Sequence, residues 1–219
     1  MQGFVEQLID KITYLPVLLL ALTVHELCHG VMAYKLGDST AKYDGRLSLN
    51  PLRHIDPIGL LCMVLWRFGW AKPVMVDTRN LKTPKVDMAL IAAAGPVSNF
   101  IMGFLSMLAL YAVFYFTDLS GDNIVSTLLE QSCALNVSLC VFNLLPIPPL
   151  DGSKIFAVLI PDHIYRRLPS VGRYGMVILM ILIFTNAIDR ILGPLVETVI
   201  KFFLFLSNNI FALIVPHAF

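Results

Sequence analysis

Residues 12–34 of the chain read ITYLPVLLLALTVHELCHGVMAY, a long apolar run that carries a compact group of polar side chains near its end. A transmembrane helix needs about 20 predominantly apolar residues, so this run predicts a membrane-spanning helix. An ionisable side chain within a span costs on the order of 2.5 to 3.5 kcal/mol on insertion scales. The cluster His25, Glu26 and His29 therefore predicts a compensating partner, either a metal ion or a water-filled cavity.

The rest of the chain has the same apolar character. Its 219 residues are 57% hydrophobic and 14% charged, whereas soluble domains are about 45–50% apolar and about 25% charged. Apolar runs predict two more core spans at about 86–116 and 124–145, and C-terminal helices over about 174–215. A fourth span is placed at 174–188, but this run is short for a full crossing, so the sequence leaves the crossing pattern of the tail open. We predict an all-α polytopic membrane protein in which residues 1–219 form one membrane-embedded domain with a compact helical core. The net charge of +1 argues against nucleic acid as a partner, and the lipid bilayer is the expected surrounding.

Basic residues are distributed unevenly along the chain. Nine of the sixteen Lys and Arg residues lie between Lys35 and Lys85, four lie between Lys154 and Arg173, and none lies between Val86 and Gly152. Because cytoplasmic loops of membrane proteins are enriched in Lys and Arg, the first two regions are expected to face the cytoplasm. We therefore expect a multi-pass protein of the cell membrane, with the turn at 117–123 outside.

Residues 35–85, between the first two spans, are expected to form a cytoplasmic and partly re-entrant region. Short stretches near 46–50 and 72–76 have the alternation and flanking turn residues of β-strands, and such strands would offer an edge to an extended peptide. The apolar stretch 58–70 is too short to cross a bilayer, so a re-entrant or interfacial segment is expected there.

The polar group of the first span has the spacing of a zinc site. On an α-helix, His25 and His29 lie one turn apart on one face, and Glu26 is rotated by about 100° beside them. This H-E-x-x-H pattern supplies two imidazole ligands and a general base. Catalytic zinc commonly has three protein ligands and keeps its fourth position for water.

The third ligand is expected at the end of the third span. Pro146, Pro148 and Pro149 exclude an α-helix from about Leu145 onward, and unwound backbone at membrane depth is tolerated only beside protein or a water-filled cavity. Asp151 is the carboxylate at this break, and we assign it as the third zinc ligand in preference to a simple turn residue before Gly152.

Asn143 immediately precedes the same break. Its amide could hold a substrate carbonyl or stabilise an oxyanion. It could equally bond backbone groups that the prolines leave without helical partners. The sequence leaves both roles open.

Three tracts together resemble the site-2 protease family of intramembrane zinc metallopeptidases: HELCH at 25–29, NLLPIPPLDG at 143–152 and AAAGPVSN at 92–99. The tracts GRLSLNPLRHIDPIG at 45–59 and FGWAKPV at 68–74 are similar to its small branch, which has no PDZ domain. The resemblance implies that His25, His29 and Asp151 bind Zn²⁺, that Glu26 is the catalytic acid/base, and that the site opens toward the cytoplasm. It also implies substrates among single-pass membrane proteins or signal-peptide remnants, and it points to a substrate-positioning role for Asn143.

We therefore predict an intramembrane zinc metalloprotease that hydrolyses peptide bonds of transmembrane or membrane-associated substrates with zinc-activated water. Two alternatives use the same His, His and Asp site: a divalent-cation transporter and a catalytically inactive membrane scaffold. A transporter needs polar groups that lead to the outer face, and the outer halves of the first two spans are nearly bare of ionisable residues. An inactive relative would be marked by the loss of Glu26 or of a ligand, and all four residues are present.

Overall fold

A computed structural model of the chain describes residues 2–59, 71–117, 123–161 and 168–214. The prediction of a mainly helical protein is confirmed over these ranges. In chain order the helices are α1 (Gln2–Lys35), α2 (Thr40–Tyr43), α3 (Pro84–Phe116), α4 (Ile124–Asn143), α5 (Asp151–Ala157), α6 (Leu168–Phe184) and α7 (Ala187–Ile214). Short 3-10 turns cover Pro51–Arg53 and Thr78–Asn80.

Four helices among the described residues are long and apolar enough to cross a membrane: Tyr14–Lys35 of α1, and the whole of α3, α4 and α7. The first three correspond to the spans predicted at 12–34, 86–116 and 124–145. The prediction of a multi-pass membrane protein is thereby confirmed.

The fourth span differs from the prediction of 174–188. Helix α6 ends at Phe184, and the helix with the length of a span is α7. Between them, Asn186 has a φ of 53°, a left-handed conformation that Asn adopts more readily than most residues and that interrupts a helix. The apolar run is therefore divided between two helices.

Helix α3 lies at the centre of the bundle and contacts α1, α4, α5 and α7. Its small residues permit close packing, as their spacing predicts. A Cβ atom on Gly103 would lie 3.2 Å from Val137 of α4 and 3.4 Å from the Phe203 ring of α7. Phe203 and Val137 are fully buried in the main apolar core between these helices.

The strands predicted near 46–50 and 72–76 are not formed. The described part of this region has one isolated antiparallel bridge, between Ile55 and Ala71. Residues 47–49 form bends, because local contacts fold the chain back: Arg53 donates to the Gly45 carbonyl, and Arg46 donates to the Arg53 carbonyl. Residues 72–77, which we call the 72–77 segment, have no regular secondary structure. The re-entrant stretch predicted at 58–70 lies mostly outside the described residues.

Candidate metal centre

Two buried imidazoles face one another on α1. His25 is 5% exposed and His29 is 8% exposed, and their Nε2 atoms are 3.0 Å apart. The four-residue spacing on a helix places both on one face, as the sequence predicts.

Asp151 completes a triangle of three ligand atoms. Its Oδ2 lies 3.2 Å from His25 Nε2 and 3.1 Å from His29 Nε2. Ligands about 2.0 Å from a tetrahedral zinc ion lie roughly 3.3 Å from one another. The near-equilateral triangle thus has the dimensions of one face of a zinc coordination tetrahedron, and the residues present fit Zn²⁺.

The other nitrogen of each imidazole has a partner that fixes the ring. His29 Nδ1 donates to the Ile91 carbonyl of α3 at 2.7 Å. His25 Nδ1 pairs with Asn99 Oδ1, also on α3, at 3.0 Å. A carbonyl can only accept, so the proton resides on Nδ1 and the Nε2 lone pair remains available for a metal ion.

Asp151 reaches this cluster because the chain leaves its helix after α4 and begins a new helix close by. Helix α4 ends at Asn143, the following residues are not helical, and α5 begins at Asp151. A Cβ atom on Gly152 would lie 2.3 to 2.4 Å from backbone atoms of Leu144 and Leu145. Glycine is therefore required for α5 to approach the end of α4 so closely. Lys154 Nζ lies 3.8 Å from Asp151 Oδ1, so it faces the oxygen that the histidines do not use.

Gly95 of α3 is also a residue of this site. In the sequence it lies among small residues at 92–95, which by themselves predict only close helix packing. A Cβ atom there would lie 2.5 Å from His29 Nε2 and 2.6 Å from His25 Cε1. The space in which the two imidazoles meet thus depends on a glycine. Asn99 lies one turn further along α3, and as a polar residue in a span it predicts only a hydrogen bond to a neighbouring helix. Its partner proves to be His25.

Glu26 lies beside the cluster, and its Oε2 accepts a hydrogen bond from the backbone N–H of Val74 at 3.0 Å. This contact brings the 72–77 segment against α1 at the site. A Cβ atom on Gly30, one turn after Glu26, would approach the Val74 side chain to 3.8 Å.

The Asn143 side chain forms a hydrogen bond within its own helix. Its Nδ2 donates to the Leu139 carbonyl, one turn back in the same helix, at 3.0 Å. A role in positioning substrate stays a prediction.

Known proteins with similar sequences are named as zinc metalloproteases. A protein of Bacillus subtilis named "Putative zinc metalloprotease YwhC" is 37% identical over 196 residues, which cover 85% of this chain and 88% of the relative. The model of peptidase family M50 matches residues 112–185. The chain belongs to peptidase family M50. This is the site-2 protease family, so the resemblance predicted from the sequence motifs is confirmed.

Relatives of lower identity have a similar name. "Putative zinc metalloprotease Rip2" of Mycolicibacterium smegmatis is 28% identical over 186 residues, which cover 78% of this chain and 66% of the relative. The Rip2 protein of Mycobacterium tuberculosis strain H37Rv is 29% identical over 173 residues, which cover 75% of this chain and 63% of the relative. No solved structure matches the chain.

The family names and the cluster of His25, His29 and Asp151 together support Zn²⁺ as the cofactor, as predicted. The names of the relatives are those of metalloproteases. They do not favour the transporter or scaffold alternatives.

Proposed function

We propose that this M50 protein is an intramembrane zinc peptidase that uses His25, His29 and Asp151 as metal ligands and Glu26 as the general acid/base. The observation that carries the proposal is the triangle of His25 Nε2, His29 Nε2 and Asp151 Oδ2, with edges of 3.0 to 3.2 Å. Glu26 follows His25 on the same helix. Three ligands and an adjacent carboxylate are the parts that zinc-dependent hydrolysis requires.

When bound, zinc supplies Lewis acidity, which makes water nucleophilic near neutral pH and polarises a peptide carbonyl. Glu26 has two oxygens with different duties in this proposal. Oε2 accepts the Val74 N–H, which holds the carboxylate in place and leaves Oε1 to take a proton from water. The same carboxyl group then gives the proton to the leaving amine. No covalent intermediate with the protein is needed.

The site is proposed to open toward the cytoplasm. His29 precedes Lys35, the last residue of α1, by six residues, or about 9 Å of helix. Lys35 begins the region that contains nine of the sixteen basic residues, and such regions face the cytoplasm. The ligands would therefore lie below the cytoplasmic membrane surface, within reach of water from that side.

The substrates are proposed to be single-pass membrane proteins or signal-peptide remnants. This class rests on the family resemblance and on the depth of the ligands in apolar helices. A helical substrate hides its carbonyls in backbone hydrogen bonds, so it must unwind locally before hydrolysis. Asn143, at the end of α4, is a proposed contact for the unwound substrate.

The proposal is tested by replacing the acid/base and the ligands separately. Glu26→Gln should retain one zinc ion per chain and lose cleavage of a reconstituted transmembrane substrate by at least about a hundredfold, since general acid/base catalysis contributes 10² to 10⁴-fold. His25→Ala and Asp151→Ala should lose the zinc itself, as measured by elemental analysis of the purified protein.

Glu197→Gln is the matched control. Glu197 is an exposed residue of α7 that pairs with Lys201 at 2.7 Å, and the same chemical change there should leave both zinc content and cleavage unaltered. Full activity of Glu26→Gln would remove Glu26 from the mechanism. Normal zinc content in Asp151→Ala would remove Asp151 from the ligand set.

A further inference from the structure

Asp38 is a fully buried carboxylate that the proposed chemistry does not use. It lies three residues after the end of α1 and accepts four hydrogen bonds. Its Oδ1 accepts from the Thr40 N–H, the Thr40 hydroxyl and the Asn80 amide, at 2.6 to 3.1 Å. Its Oδ2 accepts from the Asp77 N–H at 2.8 Å. Asp38 therefore ties the end of α1 to the chain that leads into α3.

The hydrogen bond to Asp77 fixes the last residue of the 72–77 segment, and Glu26 holds the segment near its middle. The Val74 N–H donates to Glu26 Oε2 at 3.0 Å. Between these points, Val76 packs against a small apolar cluster of α1 and α3 that contains Ala33 and Ile91. Two carboxylates, one on α1 and one just beyond its end, thus hold two backbone N–H groups three residues apart.

The register of this segment depends on those contacts. The segment has no regular secondary structure among its own residues. Its first residue is held by a backbone hydrogen bond from the Lys72 N–H to the His54 carbonyl at 2.8 Å, and the two carboxylates hold its backbone at Val74 and Asp77. A shift by one residue would bring Pro73, which has no N–H, or Met75 to Glu26. With Lys72 held by the His54 carbonyl at the start of the segment, Asp38 is the buried side chain that holds its last residue against such a shift.

We propose that Asp38 is a positioning residue for the general base: it holds the 72–77 segment in the register that delivers the Val74 N–H to Glu26. This inference rests on the role proposed for Glu26 above. Residues that orient groups of a metal site in this way typically change activity 10- to 100-fold when they are replaced.

The isosteric change Asp38→Asn tests the hydrogen bond between Asp38 and the Asp77 N–H with little change in side-chain volume. The carbonyl oxygen of Asn can still accept from Thr40 and Asn80, and its NH₂ group then faces the Asp77 N–H, so donor meets donor. Arg79→Ala is the matched control, because Arg79 is 88% exposed and its pair with the Asp77 carboxylate does not involve the Asp77 N–H.

Hydrogen–deuterium exchange of the zinc-loaded protein in lipid nanodiscs measures the protection of the Val74 and Asp77 N–H groups and does not depend on activity. Peptides that contain Val74 and Asp77 should exchange slowly in the wild type and in Arg79→Ala. Both amides should exchange at least tenfold faster in Asp38→Asn. Slow exchange at Val74 in Asp38→Asn would overturn the proposal.

Kinetics with a fluorogenic transmembrane peptide that the wild type cleaves provide the second measurement. In Asp38→Asn, kcat should fall about tenfold, while KM and zinc stoichiometry stay within twofold of the wild type. A general loss of structure would lower zinc content as well. If the wild type cleaves no peptide, the proposed function fails and the exchange measurement still decides the role of Asp38. If Asp38→Asn matches the wild type in kcat, the positioning role fails and the proposed function stands.

Val74→Pro is a second variant, which tests the hydrogen bond between Val74 and Glu26 directly and serves if Asp38→Asn does not fold. It removes the N–H that Glu26 accepts and leaves Asp38 intact. Its kcat should also fall about tenfold, and the double variant should be no slower than Val74→Pro alone, because both changes break one pathway. Wild-type kcat in Val74→Pro, or additive losses in the double variant, would overturn the proposal.

Discussion

Gly95 leaves the space in which the two imidazoles of α1 meet. A Cβ atom at this position would lie within 2.6 Å of atoms in both rings, well inside van der Waals contact, and the rings are buried and cannot swing away. We expect Gly95→Ala to weaken zinc binding at least tenfold, as measured by competition with a chelator of known affinity. The melting temperature of the metal-free protein should change little, since Ala is a better helix former than Gly.

Gly103→Ala separates this effect from a general loss of helix packing. Gly103 lies on the same helix, where a Cβ atom would lie 3.2 Å from Val137 and no imidazole is near. Its replacement should lower the melting temperature without changing zinc affinity. Equal zinc affinities for the two variants and the wild type would show that Gly95 does not shape the site.

The sequence predicted the members of the triangle better than their surroundings. His25 and His29 were found because helical spacing alone makes them neighbours, and Asp151 because three prolines mark a break where a carboxylate can reach the membrane interior. The sequence indicates only a packing role for Gly95 and a bond across helices for Asn99, because their contacts to α1 cross more than sixty residues of chain. Their spacing of one helical turn was the available signal, and it shows only that they share a face.

The helices of this protein could be predicted from its sequence, whereas the structure of the loop at 35–85 could not. Long apolar runs fixed α3 and α4 to within about two residues at each end, because burial in a membrane imposes length and composition together. Residues 46–50 have the alternation of a strand, but side-chain bonds from Arg46 and Arg53 to backbone carbonyls fold them into bends. Such contacts depend on which backbone groups the fold leaves free, and alternation does not contain that information.

The tie between α1 and the 72–77 segment should weaken in acid. Burial acts to raise the pKa of Asp38, but the hydrogen bonds from Thr40, Asn80 and the Asp77 N–H outweigh it, and the pKa lies below its ordinary value. A carboxylate with a lowered folded-state pKa stabilises the fold above its unfolded-state value of about 4, and this contribution is lost as the pH falls through the folded-state pKa. The melting temperature of the wild type should therefore fall more between pH 6 and pH 3 than that of Asp38→Asn.

The comparison requires metal-free protein, so that release of zinc in acid does not contribute. The ligands are present in both proteins and cancel in the difference. Asp77, whose pKa is lowered to about 2 by hydrogen bonds from Arg79, stays largely ionised in this window. Equal losses in the two proteins would show that ionised Asp38 does not stabilise the loop.

For the whole molecule, the distribution of charge makes a prediction that the helices alone do not. The four apolar helices are compatible with either orientation in the membrane, and the concentration of Lys and Arg in 35–85 favours a cytoplasmic location for this region. Tyr43, which is 86% exposed, and Thr117, at the far end of α3, should then lie on opposite sides of the membrane.

Tyr43→Cys should react with a membrane-impermeant maleimide only after the cells are permeabilised, whereas Thr117→Cys should react in intact cells. The chain has four native cysteines, of which Cys133 and Cys140 are buried and Cys28 is half-buried, so the parent chain is labelled in parallel and its signal is subtracted. The reverse pattern would place the cluster of His25, His29 and Asp151 near the outer surface, and substrates would then have to approach from outside the cell.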